Sequence, residues 1–240
     1  SERRVAVIGA GTMGAGIAEL CAQKGFQASL IDVNAGVLER AQAVFKPLPP
    51  SAATPQRPIT PERVALGRLL YYKTRVSSDG KQSCGECHQP SYYGTDALPR
   101  SVGNQGRSLA RNVPTVFNTA LQFTQHYGGN RVDLEEQALK ALLSPLDYGN
   151  KDFAAAEAKL RAIPGYRPLF EKAFPGEAEP VTAENWSKAI GAYERVLLTP
   201  AAFDRYLGAD RSALSPKAKQ GLDKFMSFGC AGCHGGVVVG

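Results

Sequence analysis

Val5-Ala6-Val7-Ile8 is an unbroken apolar run, the pattern of a short strand covered on both faces. A glycine-rich turn over residues 9–14 follows at once, and small residues to about Gly25 predict a helix. Ala28-Ser29-Leu30-Ile31 predicts a second strand that ends at Asp32, so the chain opens as a short βαβ piece. From about Ala43 the pattern changes to a Pro-rich, extended stretch over residues 46–55. Thr60-Pro61 then supplies an N-cap and a proline at the first helical position, with Val64, Leu69 and Leu70 as the apolar face. A polar turn at Ser77-Ser78-Asp79-Gly80 and an irregular loop marked by Tyr92, Tyr93, Gly94 and Pro99 come next. Beyond Asp133 the period is helical throughout. Asp133 and Glu136 form a capping box with Asp in place of Ser or Thr, and an Ala-rich helix over 152–162 stops at Pro164-Gly165. Thr182 caps a helix with Trp186, Ile190, Tyr193 and Leu197 on one stripe. Ser215-Pro216 starts the last helix, and Gly229 closes it. The prediction is a mainly α protein.

At 240 residues the chain can hold one large or two modest domains. Its 43% hydrophobic and 21% charged residues are ordinary for a soluble protein, and no apolar run is long enough to span a bilayer. The net charge of +6 bears on solubility and steering; Lys and Arg are not clustered with aromatics, so nucleic acid is not an expected partner.

Cysteine usage changes the picture most. Four of the five cysteines fall in two C-x-x-C-H motifs, Cys84-Gly85-Glu86-Cys87-His88 and Cys230-Ala231-Gly232-Cys233-His234. Two thiols one helical turn apart can form thioethers to one porphyrin, and the following His then takes the proximal iron site. Zinc and dithiol chemistry also use C-x-x-C, but neither needs His at the next position, and a zinc ribbon keeps its pairs closer in sequence. Two covalently bound haem c groups are therefore expected, held by Cys84, Cys87 and His88 and by Cys230, Cys233 and His234. Cys21 is left as a buried structural thiol. Haem attachment of this kind implies a periplasmic location. The N-terminal residues do not read as a secretory leader, which leaves an altered start or a first segment foreign to the rest.

The turn over residues 9–14 fits G-x-G-x-x-G, and Asp32 stands where an acidic residue would accept from a ribose. Residues 1–42 resemble the start of the 3-hydroxyacyl-CoA dehydrogenases, whose first turn reads much like GAGTMGAGIA. The alternation of strand and helix ends there, so the expectation is a short Rossmann-like fragment that does not bind NAD; a dehydrogenase fragment is the alternative that rests on these residues alone.

Residues 43–240 resemble the bacterial dihaem cytochrome c peroxidases. The resemblance is carried by AVFKPLPP, LGRLLYY, the first C-x-x-C-H, GTDALPRSVG, RNVPTVFN, DLEEQA, IPGYRPLFEKAFPG, AYERVLLTPAAFDRYL and GLDKFMSFGCAGCHGGV, in the family's order. It implies two helical cytochrome-c-like domains: a peroxidatic haem domain over 43–163 and an electron-transfer haem domain, incomplete, over 164–240. It implies hydrogen peroxide as substrate, a small cytochrome c or cupredoxin as electron donor, a bound calcium with Asn112 as a side-chain ligand, and leaves a homodimer open.

Position by position, the resemblance assigns the acid–base role of a family Glu to Asp147. Typical members have a closing His where this chain has Asn104, a poor iron ligand, so a first site open without reductive activation is expected; His126 is read as an ordinary surface or partly buried His. Tyr127 stands where the family has a Trp between the haems. The Met ligand and returning segment expected for the second haem fall beyond Gly240, and neither Met13 nor Met226 replaces that Met. Two further alternatives are a dihaem enzyme that oxidises a side chain of another protein and a non-enzymatic dihaem electron carrier.

Overall fold

The computed structural model describes residues 4–8, 12–24, 26–31 and 36–239. It is mainly helical, and the chain divides into two compact units, one of residues 50–198 and one joining residues 1–49 to 199–240.

The unit of residues 50–198 is built on α3 (Pro61–Tyr71) and α8 (Ala183–Glu194). Thr60 caps α3 by accepting from the Arg63 N–H, and Pro61 occupies its first turn. Thr182 caps α8 in the same way through the Asn185 N–H. Nearly every residue of α8 from Ala183 to Glu194 is buried, as a helix needs to be when neighbours surround it. The backbones of α3 and α8 cross at Gly67, where a Cβ would lie 1.9 Å from the Ala189 carbonyl oxygen. α5 (Leu134–Ala141), α6 (Phe153–Arg161) and α7 (Tyr166–Ala173) close the core around Leu66, Leu70, Leu142, Leu160, Phe170, Trp186 and Ile190.

Asp133 caps α5 by accepting from the Glu136 N–H, and Glu136 reaches back one residue further than a capping box requires, to the Val132 N–H. Leu69, expected on the buried face of α3, is 49% exposed, because the face turned to the core is Leu66, Gly67, Leu70 and Tyr71.

In the other unit, β1 (Arg4–Ile8) and β2 (Gln27–Ile31) pair in parallel with Arg4 opposite Gln27, joined by α1 (Thr12–Gln23). Two strands give a helix little to bury against, and Ile17 and Leu20 of α1 stay exposed. Cys21, expected to be buried, is only half-buried for the same reason. The turn residues Gly9, Ala10 and Gly11, and Asp32, lie outside the described residues. α2 (Val37–Val44), a helix that the apolar pattern does not announce, packs on α9 (Ala202–Leu207) and α10 (Pro216–Ser227). Phe45 sets its ring edge-on to Phe203, at 5.4 Å, and its neighbours exchange backbone hydrogen bonds with Gly236. Gln42 Nε2 donates to the Leu207 carbonyl, and Arg40 pairs with Asp223.

The observed division differs from the boundaries expected at 42/43 and 163/164. The first cuts through α2, whose Ala41 belongs to one small core with Phe45, Leu207, Met226 and Ala231. The second separates α6 from α7, although Tyr166, Phe170 and Ala173 of α7 share a core with Ala156 and Leu160 of α6. Among the described residues no helix is long and apolar enough to cross a membrane.

Candidate functional site

The first C-x-x-C-H motif forms a single helical turn, α4 (Cys84–Cys87), which His88 ends by donating its backbone N–H to the Cys84 carbonyl, 2.9 Å away. One turn of helix places Cys84 and Cys87 on the same side, the arrangement two thioethers to one ring require. Three loops hold this turn. Ser78 donates its N–H to the Tyr148 carbonyl, Asn150 Nδ2 donates to the Val76 and Leu142 carbonyls, and Asn104 N–H donates to the Leu146 carbonyl. Residues 76–79, 104 and 146–150 are thereby fastened together beside the motif.

The His88 side chain is placed by the loop that follows it. Its Nδ1 lies 3.0 Å from the Gly94 carbonyl oxygen. Gly94 has φ +76°, and a Cβ there would come 2.8 Å from Thr115 Oγ1, so the carbonyl is aimed by a position that favours glycine. An imidazole whose Nδ1 is held by a backbone carbonyl presents Nε2 to a metal, the usual outer-shell arrangement of a ligating His. Burial holds its pKa below the usual value, against the pull of the Gly94 and Pro114 backbone and Asp147 and Asp96, which favours the neutral, ligating form.

Burial likewise pushes the Cys84 thiol up to about 12, with the Glu194 charge adding to it, and the Cys87 thiol up to about 11. Tyr148 sets its hydroxyl 3.2 Å from Cys84 N and 3.5 Å from Cys84 Sγ. Two cysteines on one turn followed by His88 suit a pair of thioethers with an imidazole ligand, and among the described residues no three His, Cys, Asp or Glu side chains gather as a metal cluster. The donor set at Cys84, Cys87 and His88 fits a covalently attached haem.

The second motif repeats the pattern with less cover. Cys230 to Gly232 form a single 3-10 turn, and His234 Nδ1 lies 3.2 Å from the Val239 carbonyl oxygen. Phe225 packs near the His234 ring at 6.0 Å, while Cys230, Cys233 and His234 are exposed. The same pairing of ring nitrogen and carbonyl again leaves Nε2 for a metal, so this donor set also fits.

Asp147 lies close enough to the first motif for its charge to act on Cys84, Cys87 and His88. Its carboxylate makes no hydrogen bond or ion pair among the described residues. Asn104 is 2% exposed, and its amide is engaged by Ser78 Oγ at 2.8 Å and the Pro145 carbonyl at 3.4 Å. The remaining predicted residues lie elsewhere. Asn112 is exposed before buried Val113, and Tyr127 is 57% exposed. His126, beside Tyr127, sits in a turn with φ +68° and pairs its Nδ1 with Asn130 Oδ1.

Several residues at the site carry no motif signal. Glu194, 5% exposed, lies close enough to Tyr71, Cys84 and Tyr193 to act on them once ionised, and burial beside Glu135 raises its own pKa to about 8 despite Arg195. Tyr148, Ser78 and Gly94 matter through contacts that span up to 70 positions (Ser78 to Tyr148), and the turn and loop signals around Ser78 and Gly94 do not say what those residues touch.

Comparison with known proteins agrees with the geometry. The family described as di-haem cytochrome c peroxidase matches residues 61–212. The NAD binding domain of 3-hydroxyacyl-CoA dehydrogenase matches residues 4–63. The cytochrome c551 peroxidase of Pseudomonas aeruginosa is 37% identical over 204 residues, 84% of this chain and 59% of that protein. The methylamine utilization protein MauG of Methylorubrum extorquens is 39% identical over 179 residues, 74% of this chain and 50% of that protein. The crystal structure of a MauG-like protein associated with microbial copper homeostasis superposes with a TM-score of 0.67 at 30% identity, covering 74% of this chain and 52% of that one. The chain thus spans between half and three-fifths of the length of these relatives. With a family match across most of its helical part and two donor sets of the required chemistry, the chain belongs to the di-haem cytochrome c peroxidase family.

Proposed function

We propose that the chain carries two haem c groups and reduces hydrogen peroxide to water, with electrons from a small cytochrome c or cupredoxin in the periplasm. The observation that carries this reading is the first motif itself: paired cysteines on one turn, His88 fixed through Nδ1 to the Gly94 carbonyl, and an unengaged Asp147 carboxylate beside them. Cys84, Cys87 and His88 would hold the peroxidatic haem, and Cys230, Cys233 and His234 the electron-transfer haem. When bound, haem c supplies an iron that accepts peroxide oxygen and exchanges electrons singly.

The protein's own part is proton handling and positioning. Asp147 would take a proton from one peroxide oxygen and return it to the other, so that water leaves instead of hydroxide. His88 keeps its ring orientation through Gly94, and Tyr148 fixes the Cys84 backbone. Asn112 is the side chain proposed for calcium, and Tyr127 the aromatic proposed between the haems.

Asn104 favours a second reading. Its amide is spent on Ser78 and the Pro145 carbonyl, which supports a first site open to peroxide without prior reduction. Within this family such a site suits oxidation of a side chain on another protein, and MauG is among the chain's relatives. Expression with a haem c maturation system, followed by an oxidised-state spectrum and peroxide assay, tests both. Two attached haems, one of them high-spin, and rapid turnover with reduced cytochrome c are expected for the peroxidase. A peroxide-oxidised state that outlasts added cytochrome c selects the second reading, and a chain without attached haem defeats both.

A further inference from the structure

Tyr71, Tyr72 and Tyr193 form a closed aromatic triad against the first motif. Tyr71 packs edge-on to Tyr72 and to Tyr193, each at 5.1 Å between ring centroids, and Tyr72 lies 6.5 Å from Tyr193. Two of the rings touch the motif directly. Tyr71 donates its hydroxyl toward the His88 carbonyl, and the Tyr72 ring lies so close over Gly85 that a Cβ there would be 2.3 Å from Tyr72 Cδ1. Exposure grades across the triad, from 1% for Tyr71 and 8% for Tyr193 to 44% for Tyr72.

Packing alone does not account for three tyrosines. Edge-to-face stacking is equally available to phenylalanine, which would bury no hydroxyl. The hydroxyls gain little here: Tyr71 reaches its carbonyl at 3.4 Å, and the Tyr72 and Tyr193 hydroxyls are 3.4 Å apart, well beyond the ~2.7–2.8 Å usual for O–H···O. What phenol adds to a stacked ring is the capacity to lose one electron together with its proton.

We propose that this triad is a one-electron oxidation site, with Tyr72 as its exposed end, through which the first haem site exchanges electrons with small reductants in solution. The inference rests on the peroxidase reading of that site, which supplies the oxidant. An electron leaves the triad for the peroxide-oxidised haem, which is reduced by one equivalent. Tyr72 releases its phenolic proton to water and becomes a neutral phenoxyl radical. A one-electron reductant then returns the electron, and water returns the proton. Tyr71 and Tyr193 are buried away from solvent that could take a phenolic proton, whereas Tyr72 is open to it. The radical therefore settles on Tyr72, where solvent accepts the proton.

The haem-loaded protein, grown with ring-deuterated tyrosine and mixed with hydrogen peroxide in the absence of donor, provides the test by electron paramagnetic resonance. An organic radical signal that narrows on deuteration is expected. Tyr72→Phe should abolish it, and peptide mass spectrometry should find oxidised or cross-linked Tyr72. The deuterated wild-type measurement stands even if a variant folds poorly. Attached haem that consumes peroxide without a tyrosine-derived signal, or with a signal undiminished in Tyr72→Phe, overturns the inference and leaves the peroxidase reading intact. Absence of attached haem or of peroxide consumption overturns that reading and the inference with it.

Discussion

Asp147 and Glu194 are two carboxyl groups near the same motif with opposite surroundings. Asp147 is partly exposed and unengaged, whereas Glu194 is buried and keeps its proton. Asp147→Asn keeps size and polarity but removes the proposed proton acceptor, so peroxide turnover should fall on the order of a hundredfold or more with both haem spectra unchanged. Turnover equal to wild type would remove Asp147 from the reaction. Glu194 predicts a stability effect. Its carboxyl ionises near 4.5 when unfolded but only at about 8 when folded. Its contribution is therefore fully present below pH 4.5 and is lost as pH rises toward 8, because the unfolded chain binds fewer protons across that window. Denaturant midpoints at pH 5 and pH 8 should fall more steeply for wild type than for Glu194→Gln; parallel profiles would show that Glu194 ionises normally in the fold. Asp147 was singled out from the sequence only through the family resemblance, which places it where members carry a Glu. Glu194 was not, since its neighbours Tyr71, Cys84 and Glu135 come from distant parts of the chain.

Elements were legible where their ends are chemically marked. Thr60, Asp133, Thr182 and Ser215 each cap the helix their position predicts, because a cap is a contact between residues three apart. Element packing was not. The α3–α8 crossing depends on Gly67, which in sequence reads only as a poor helix residue. Gly67→Ala should improve helix propensity yet destabilise the protein by about 1–3 kcal/mol, since backbone and not a yielding side chain blocks the new methyl. A urea midpoint at or above the wild-type value would show that the crossing can open without cost. At the other end of α8, Arg195 clamps Glu135 of α5 through two hydrogen bonds of 2.5 and 2.9 Å. Both groups are buried, so removing one partner strands the other.

For the whole molecule, the two units differ in how much apolar surface holds them. The unit of residues 50–198 has a broad core from α3, α5, α6, α7 and α8 around Trp186, while the described core of the other unit is Ala41, Phe45, Leu207, Met226 and Ala231. A small core opens at lower free energy. Amides of α10 should therefore exchange with deuterium well before those of α8, measured by peptide mass spectrometry; simultaneous exchange would mean that the units unfold together. The two motifs inherit this difference, with Cys84 and His88 partly buried and Cys230, Cys233 and His234 exposed.

By itself the sequence determined the two C-x-x-C-H donor sets, the helix starts and the family, because each is written in residues a few positions apart or in segments kept in order. It did not determine the two-unit division, the aim of the Gly94 carbonyl at His88, the protonated state of Glu194 or the meeting of Tyr71, Tyr72 and Tyr193. Those depend on burial and on contacts between residues as far apart as Tyr72 and Tyr193. Only the packed chain fixes them, since the solvent a group loses on folding is set by everything that surrounds it.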